Sequence, residues 1–225
     1  MKYIFYIFIF FCVACNTNSK QDSKPVTDPP FWNDIQNFKK KDSISFPPQN
    51  AILFIGSSSF TKWTDMQDYF PGYTIINRGF GGSTLLDEIR YVNDIVSPYQ
   101  PKQIIIYCGE NDIATADTIS GKMVFERFRQ FFSDIRNRFP EISLAYISMK
   151  PSPSRWHMKE RMMEGNELIR KYLRKKKRAK LINVWNAMLG PDGKPREDIF
   201  TEDSLHMNAG GYAIWKKIIE SYLLK

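Results

Sequence analysis

The sequence predicts an α/β fold built on a parallel sheet, and three observations carry that expectation. Five short apolar runs recur along the chain, helix-period stretches separate them, and the residues able to do chemistry cluster just after the runs. The runs are 51–55, 74–77, 103–107, 143–148 and 180–184. They are rich in Ile and lack strict polar alternation, as expected of strands buried on both faces. Amphipathic stretches at about 85–96, 120–139, 157–176 and 210–224 supply the helices. Alternation of this kind gives an α/β sandwich with a parallel sheet, whose working site lies at the carboxyl ends of the strands.

The bulk numbers agree. The 225 residues are 43% apolar, 25% charged and 15% aromatic, enough for one well-filled core and short for two. They exclude a mainly disordered chain, a collagen-like repeat and a coiled coil. With 32 Lys and Arg against 24 Asp and Glu the net charge is +8, which suits contact with anionic lipid or polymer and is silent on fold.

The chain begins MKYIFYIFIFFCVAC. The apolar run 4–14 is shorter than the about 20 residues a bilayer span needs and has the form of a secretory signal. Its end, Val13-Ala14-Cys15, resembles a bacterial lipoprotein signal, which implies cleavage before Cys15 and thioether lipidation of its thiol. Cys12 stands where Leu is usual, and an ordinary signal peptide with an incidental Cys is the alternative. Cleavage there leaves Cys108 as the remaining free thiol, so the core holds without a disulfide framework. Residues 1–14 thus read as signal, 15–30 as a Pro-containing tether, and 31–225 as the domain. Phe31, Ile35 and Phe38 fall on one face of a short helix expected to pack on that domain.

Four short blocks follow the runs. Gly56-Ser57-Ser58-Ser59 comes after the first strand, Asn77-Arg78-Gly79-Phe80-Gly81-Gly82-Ser83 after the second, Gly109-Glu110-Asn111-Asp112 after the third, and Asp203-Ser204-Leu205-His206 near the end. Each alone is weak evidence; all four in this order are specific. Over about 52–215 the chain resembles the SGNH (GDSL-type) hydrolases. The resemblance implies a flavodoxin-like three-layer α/β/α sandwich and ester hydrolysis. It makes Ser58 the nucleophile, His206 the general base and Asp203 its orienting acid. Ser58, Gly82 and Asn111 become the oxyanion-hole donors.

The chemistry asks for these residue types. A Ser hydroxyl is a poor nucleophile until a base takes its proton, and imidazole, with an unperturbed pKa of ~6.5, suits that task. An acceptor on its second nitrogen fixes the tautomer, and Asp203 lies three residues away. The tetrahedral intermediate needs preorganised donors, met by two backbone N–H groups and an uncharged amide. Gly at 82 permits close backbone approach and unusual dihedrals.

Plainer readings compete. Ser57, Ser58 and Ser59 are all plausible helix caps, and His206 is another ahead of Asn208-Ala209-Gly210-Gly211. The second histidine, His157, lacks an acid at short spacing except Glu160 and reads as rim or surface. Two positions depart from the family pattern: Ser57 stands where Asp is usual, and Ser83 where Asp often follows the block-two glycine. Trp63, Arg78, Phe80, Arg155 and Trp156 are divided between pocket lining and packing. Asp112 reads as holding its loop. The run 170–180 carries eight basic residues and is read as the solvated end of a helix rather than a nucleic-acid patch.

No metal-ligand spacing and no phosphate-loop spacing is present, so no cofactor or metal is expected. The expectation is an exported serine esterase, lipid-anchored to the bacterial cell envelope, acting on a small-molecule or glycan ester, with acetyl esters of carbohydrates first. Nucleic acid is not an expected partner. The alternatives are a lysophospholipase or other lipid esterase, an acyltransferase using the same residues, and a non-catalytic carbohydrate-binding lipoprotein.

Overall fold

The five apolar runs form five parallel strands joined by helices. A computed structural model describes residue 1 and residues 28–225; Cys15 and most of the segments read as signal and tether lie outside the described residues. The order is α1 (Trp32–Ile44), β1 (Ile52–Gly56), α2 (Ser58–Thr61), α3 (Met66–Tyr69), β2 (Ile75–Gly79), α4 (Leu85–Arg90), α5 (Val92–Ile95), β3 (Gln103–Tyr107), α6 (Glu110–Ala114), α7 (Gly121–Arg138), β4 (Ser143–Ile147), α8 (Lys159–Leu173), β5 (Ala179–Ile182) and α9 (Ala209–Ile219). A 3-10 segment, Pro153–Met158, follows β4. Among the described residues no helix is long and apolar enough to cross a membrane.

The sheet order is β2-β1-β3-β4-β5, all pairs parallel. Side chains alternate between two buried faces. Leu53, Ile55, Ile104 and Ile106 face a core with α1, α4, α7 and α8, while Ile52, Phe54, Ile105 and Tyr107 face one with α2, α3 and α9. Burial on both faces explains the absence of polar alternation and gives the three-layer sandwich. Gly56 pairs with both Gly79 and Tyr107, so β1, β2 and β3 end level. The loops carrying Ser58, Gly82 and Asn111 therefore leave the sheet side by side.

Helix boundaries follow the amphipathic stretches with one exception. The stretch 85–96 breaks at Tyr91 into α4 and α5. No Gly or Pro marks the break; the Tyr91 hydroxyl donates to Pro30 O at 2.7 Å, a contact 61 residues away in sequence. As its periodicity predicts, α1 buries Ile35, with Phe31 and Phe38 half-buried beside it. Asp42 anchors α1, accepting from Arg78 and, at 2.5 Å, from the Tyr99 hydroxyl.

That anchor settles one divided reading. Arg78 is buried, ion-paired to Asp42 and stacked on Phe38 and Tyr99. Trp63 and Phe80 are fully buried core residues. All three pack the interior. The basic run closes α8 and leads into the amino end of β5, away from the carboxyl ends; 174–178 are exposed, as expected of a solvated helix end.

Candidate active site

The first block turns on Gly56. Its φ is +138°, and a Cβ there would lie 1.9 Å from Tyr107 O, so only glycine fits between β1 and β3. The next N–H, of Ser57, donates to Tyr107 O at 3.0 Å. Ser57 then occupies the N-cap position and Ser58 begins α2. Ser57 and Ser59 are buried, whereas Ser58 is half-exposed. Of the three serines, Ser58 is thus the one presented to solvent at a strand-to-helix turn. Ser58 Oγ has no hydrogen-bond partner among the described residues; catalytic contacts often tighten only in the substrate complex.

The second block comes against the first. Asn77 Nδ2 donates to Phe60 O at 2.8 Å, and Phe80 N to Gly56 O at 2.9 Å. A Cβ on Gly81 would lie 3.9 Å from Ser58 Cβ. Gly82 is exposed with φ +90°, a backbone state that favours glycine.

The third block joins them through Asn111. Its amide Nδ2 donates to Ser57 Oγ at 2.6 Å and to Ser83 O at 3.0 Å. Blocks one, two and three therefore meet at one side-chain amide. Asp112 makes the reverse tie: its carboxylate accepts from Leu85 N at 2.9 Å and from Arg127 at 2.8 Å, holding the start of α4 against α6. Burial raises the Asp112 carboxyl above its ordinary value despite the Arg127 contact. Its role is to hold the loop, in line with the sequence reading.

The fourth block is a tight loop before α9. His206 Nδ1 and Asp203 Oδ2 lie 2.5 Å apart. Asp203 Oδ1 also accepts from Thr201 Oγ1, Leu205 N and His206 N, each at 2.9 Å. Burial opposes ionisation of Asp203, but these donors outweigh it and hold the carboxyl well below the usual carboxylate range. A carboxylate at Nδ1 takes the Nδ1–H and leaves Nε2 as the basic nitrogen. The helix cap is Asn208, whose Oδ1 accepts from Gly210 N and Gly211 N, so His206 is free of that task. The loop is tied to the segment after β4, and α9, which follows it, to the first block. Ser154 donates to Ser204 O through both N (3.1 Å) and Oγ (2.9 Å), and Tyr212 donates to Ser59 O at 3.0 Å.

A family model, the GDSL-like lipase/acylhydrolase family, matches residues 42–214. The chain belongs to the GDSL-like lipase/acylhydrolase family. It is accordingly an ester hydrolase. No curated protein matches the chain. Solved structures with the same fold include a candidate platelet activating factor from Streptococcus pneumonia (20% identity, TM-score 0.74, covering 85% of this chain and 92% of that one). Another is a candidate acylhydrolase from Bacteroides fragilis (18%, TM-score 0.73, 85% and 96%). A third is a mutant acetyl esterase with acetate ion (13%, TM-score 0.58, 76% and 95%).

Two parts of this GDSL-like site escaped sequence reasoning. One is the acceptor role of Ser57, signalled only by its departure from the usual Asp. The other is a buried cluster behind Asn111. Lys150 donates to Glu110 Oε2 at 2.9 Å, Arg155 pairs with Oε1 at 3.1 Å, and the Tyr107 hydroxyl also donates to Glu110. Burial opposes ionisation of Glu110, but these cations outweigh it and hold the carboxyl below its ordinary value. Arg155 is thereby fixed beside the site, while Trp156 stacks on Trp185. His157 sits exposed in the Pro153–Met158 segment with no hydrogen bond among the described residues, as a surface residue does. Among the described residues no cluster of His, Cys, Asp and Glu is arranged to hold a metal ion.

Proposed function

We propose that the chain is a serine esterase working through Ser58, His206 and Asp203, with short acyl esters of carbohydrates as substrates. The observation that carries the reading is the Asp203–His206 pair. A carboxylate fixed by three further donors fixes the imidazole tautomer, in a loop tied to the segment after β4 and running into α9, whose Tyr212 bonds Ser59 O.

In this reading Ser58 Oγ attacks the ester carbonyl carbon while its proton passes to His206 Nε2. The carbonyl oxygen becomes an oxyanion held by the N–H groups of Ser58 and Gly82 and the amide of Asn111. Collapse breaks the bond to the alcohol oxygen, which takes the proton from Nε2 and leaves. Water then attacks the acyl-Ser58 carbonyl, giving its proton to Nε2. A second collapse returns that proton to Ser58 Oγ and releases the carboxylic acid. Support for a short acyl group comes from the acetyl esterase that shares the fold.

The test is turnover of p-nitrophenyl esters of increasing chain length by residues 28–225, wild type beside Ser58→Ala. Loss of turnover in the variant and a profile falling beyond acetyl or propionyl are the expected results. Turnover that survives Ser58→Ala overturns the assignment. Export and lipidation at Cys15 belong to the same proposal, supported by the Val13-Ala14-Cys15 pattern. Radiolabelled palmitate should enter the full chain expressed in a bacterium and should not enter Cys15→Ala.

A further inference from the structure

The N-terminal arm reaches the site. Phe31, the residue before α1, lays the edge of its ring over Gly82: Cε1 and Cζ lie 3.7 and 3.9 Å from where a Cβ on that glycine would stand. The arm is held there. Phe31 takes a left-handed φ of 64°, which a bulky residue adopts only when its surroundings impose it. Its ring meets Phe80 edge-on at 5.3 Å, Tyr91 donates to Pro30 O, and Asp42 pins α1 to Arg78 and Tyr99.

We propose that Phe31 is a specificity-determining residue that forms the wall of the substrate site beside Gly82 and packs against the alcohol part of the ester. The inference rests on the serine esterase reading and extends it. The two sides of Ser58 differ. Toward β4 lie charged side chains, Arg155 and the buried Lys150 on Glu110. Toward β2 lie Gly81 and Gly82, exposed and without side chains, and the ring of Phe31 bounds them. An alcohol part that extends from Ser58 over this exposed glycine strip meets the Phe31 ring. An aromatic ring beside exposed peptide groups suits a ligand with apolar faces and a polar rim, as a sugar has.

The experiment measures acetate release from glucose pentaacetate and from ethyl acetate, whose alcohol is too small to reach Phe31. Wild type is compared with Phe31→Ala and with Phe31→Leu, which keeps the burial but loses the flat ring. The kcat/KM ratio of sugar ester to ethyl ester should fall about tenfold in Phe31→Ala, mainly through KM, and in the same direction in Phe31→Leu. If Phe31→Ala does not fold, Phe31→Leu alone decides. A ratio within twofold of wild type in the folded variants overturns the role of Phe31 and leaves the esterase reading intact. A wild type that releases no acetate and takes no fluorophosphonate label on Ser58 overturns both.

Discussion

Asn111 Nδ2 donates to Ser57 Oγ at 2.6 Å, joining a proposed oxyanion donor to the residue just before the proposed nucleophile. The same nitrogen also donates to Ser83 O, which holds the side chain between the loops; as an oxyanion donor it exchanges one of these two acceptors for the substrate oxygen. Ser57 stands where the family usually has Asp, and it keeps the one property this contact needs, an oxygen acceptor. Ser57→Ala should lower kcat about tenfold with little change in KM, because a less fixed donor stabilises the transition state less. Ser57→Asp should keep most of the activity. Steady-state kinetics of the two variants checks this; equal losses in both would remove the acceptor role.

Removing an oxyanion donor outright should cost more. Asn111→Ala should reduce kcat ~10²–10³-fold. The same variant loses a contact between three loops, so its melting curve is recorded alongside to separate rate from fold.

Asp203→Asn should reduce kcat ~10³–10⁴-fold, because an amide at this position does not hold the Nδ1–H tautomer of His206. The pH dependence has a definite sign. The folded carboxyl sits below its ordinary value, so its contribution to stability is present above the unfolded carboxyl pKa of ~3.9 and is lost as pH falls. Wild type should therefore lose slightly more stability on acidification than Asp203→Asn. Half-exposure of the Asp203 side chain keeps that difference small. Melting temperatures between pH 3 and pH 7 provide the check.

Glu88 titrates the opposite way. It is fully buried, accepts from Ser83 Oγ at 2.9 Å, and its second oxygen has no partner among the described residues. Burial pushes its carboxyl well above the ordinary value, with Asp87 and Asp112 adding to the shift. The folded chain thus holds a proton that the unfolded chain releases above about pH 4.3, and stability falls as pH rises through that range. Glu88→Gln, a neutral isostere, should raise the melting temperature at pH 8 and leave it unchanged at pH 4. A gain equal at both pH values would show that ionisation is not the cause.

Arg78 and Asp42 hold α1 to the sheet as a largely buried pair, each side chain 11% exposed. Arg78→Ala leaves Asp42 buried without its cation and should destabilise the domain by about 3–5 kcal/mol in urea unfolding. The double variant Asp42→Leu with Arg78→Met should recover part of that loss, since it removes both charges together.

What the sequence determined by itself was the strand set, the parallel α/β class and the four blocks. Those features depend on local pattern: runs buried on both faces show no polar alternation, and a glycine forced by a close backbone approach, such as Gly56, leaves a fixed letter. Tertiary structure alone decided which serine of three meets solvent, where Asn111 donates, and what Arg78, Trp63 and Phe80 do. It also brought the Tyr91 hydroxyl to Pro30, and built the Glu110–Lys150–Arg155 cluster and the placement of Phe31 over Gly82. Each of these joins residues far apart in the chain, and nothing in the local pattern of either partner specifies where the other comes to lie.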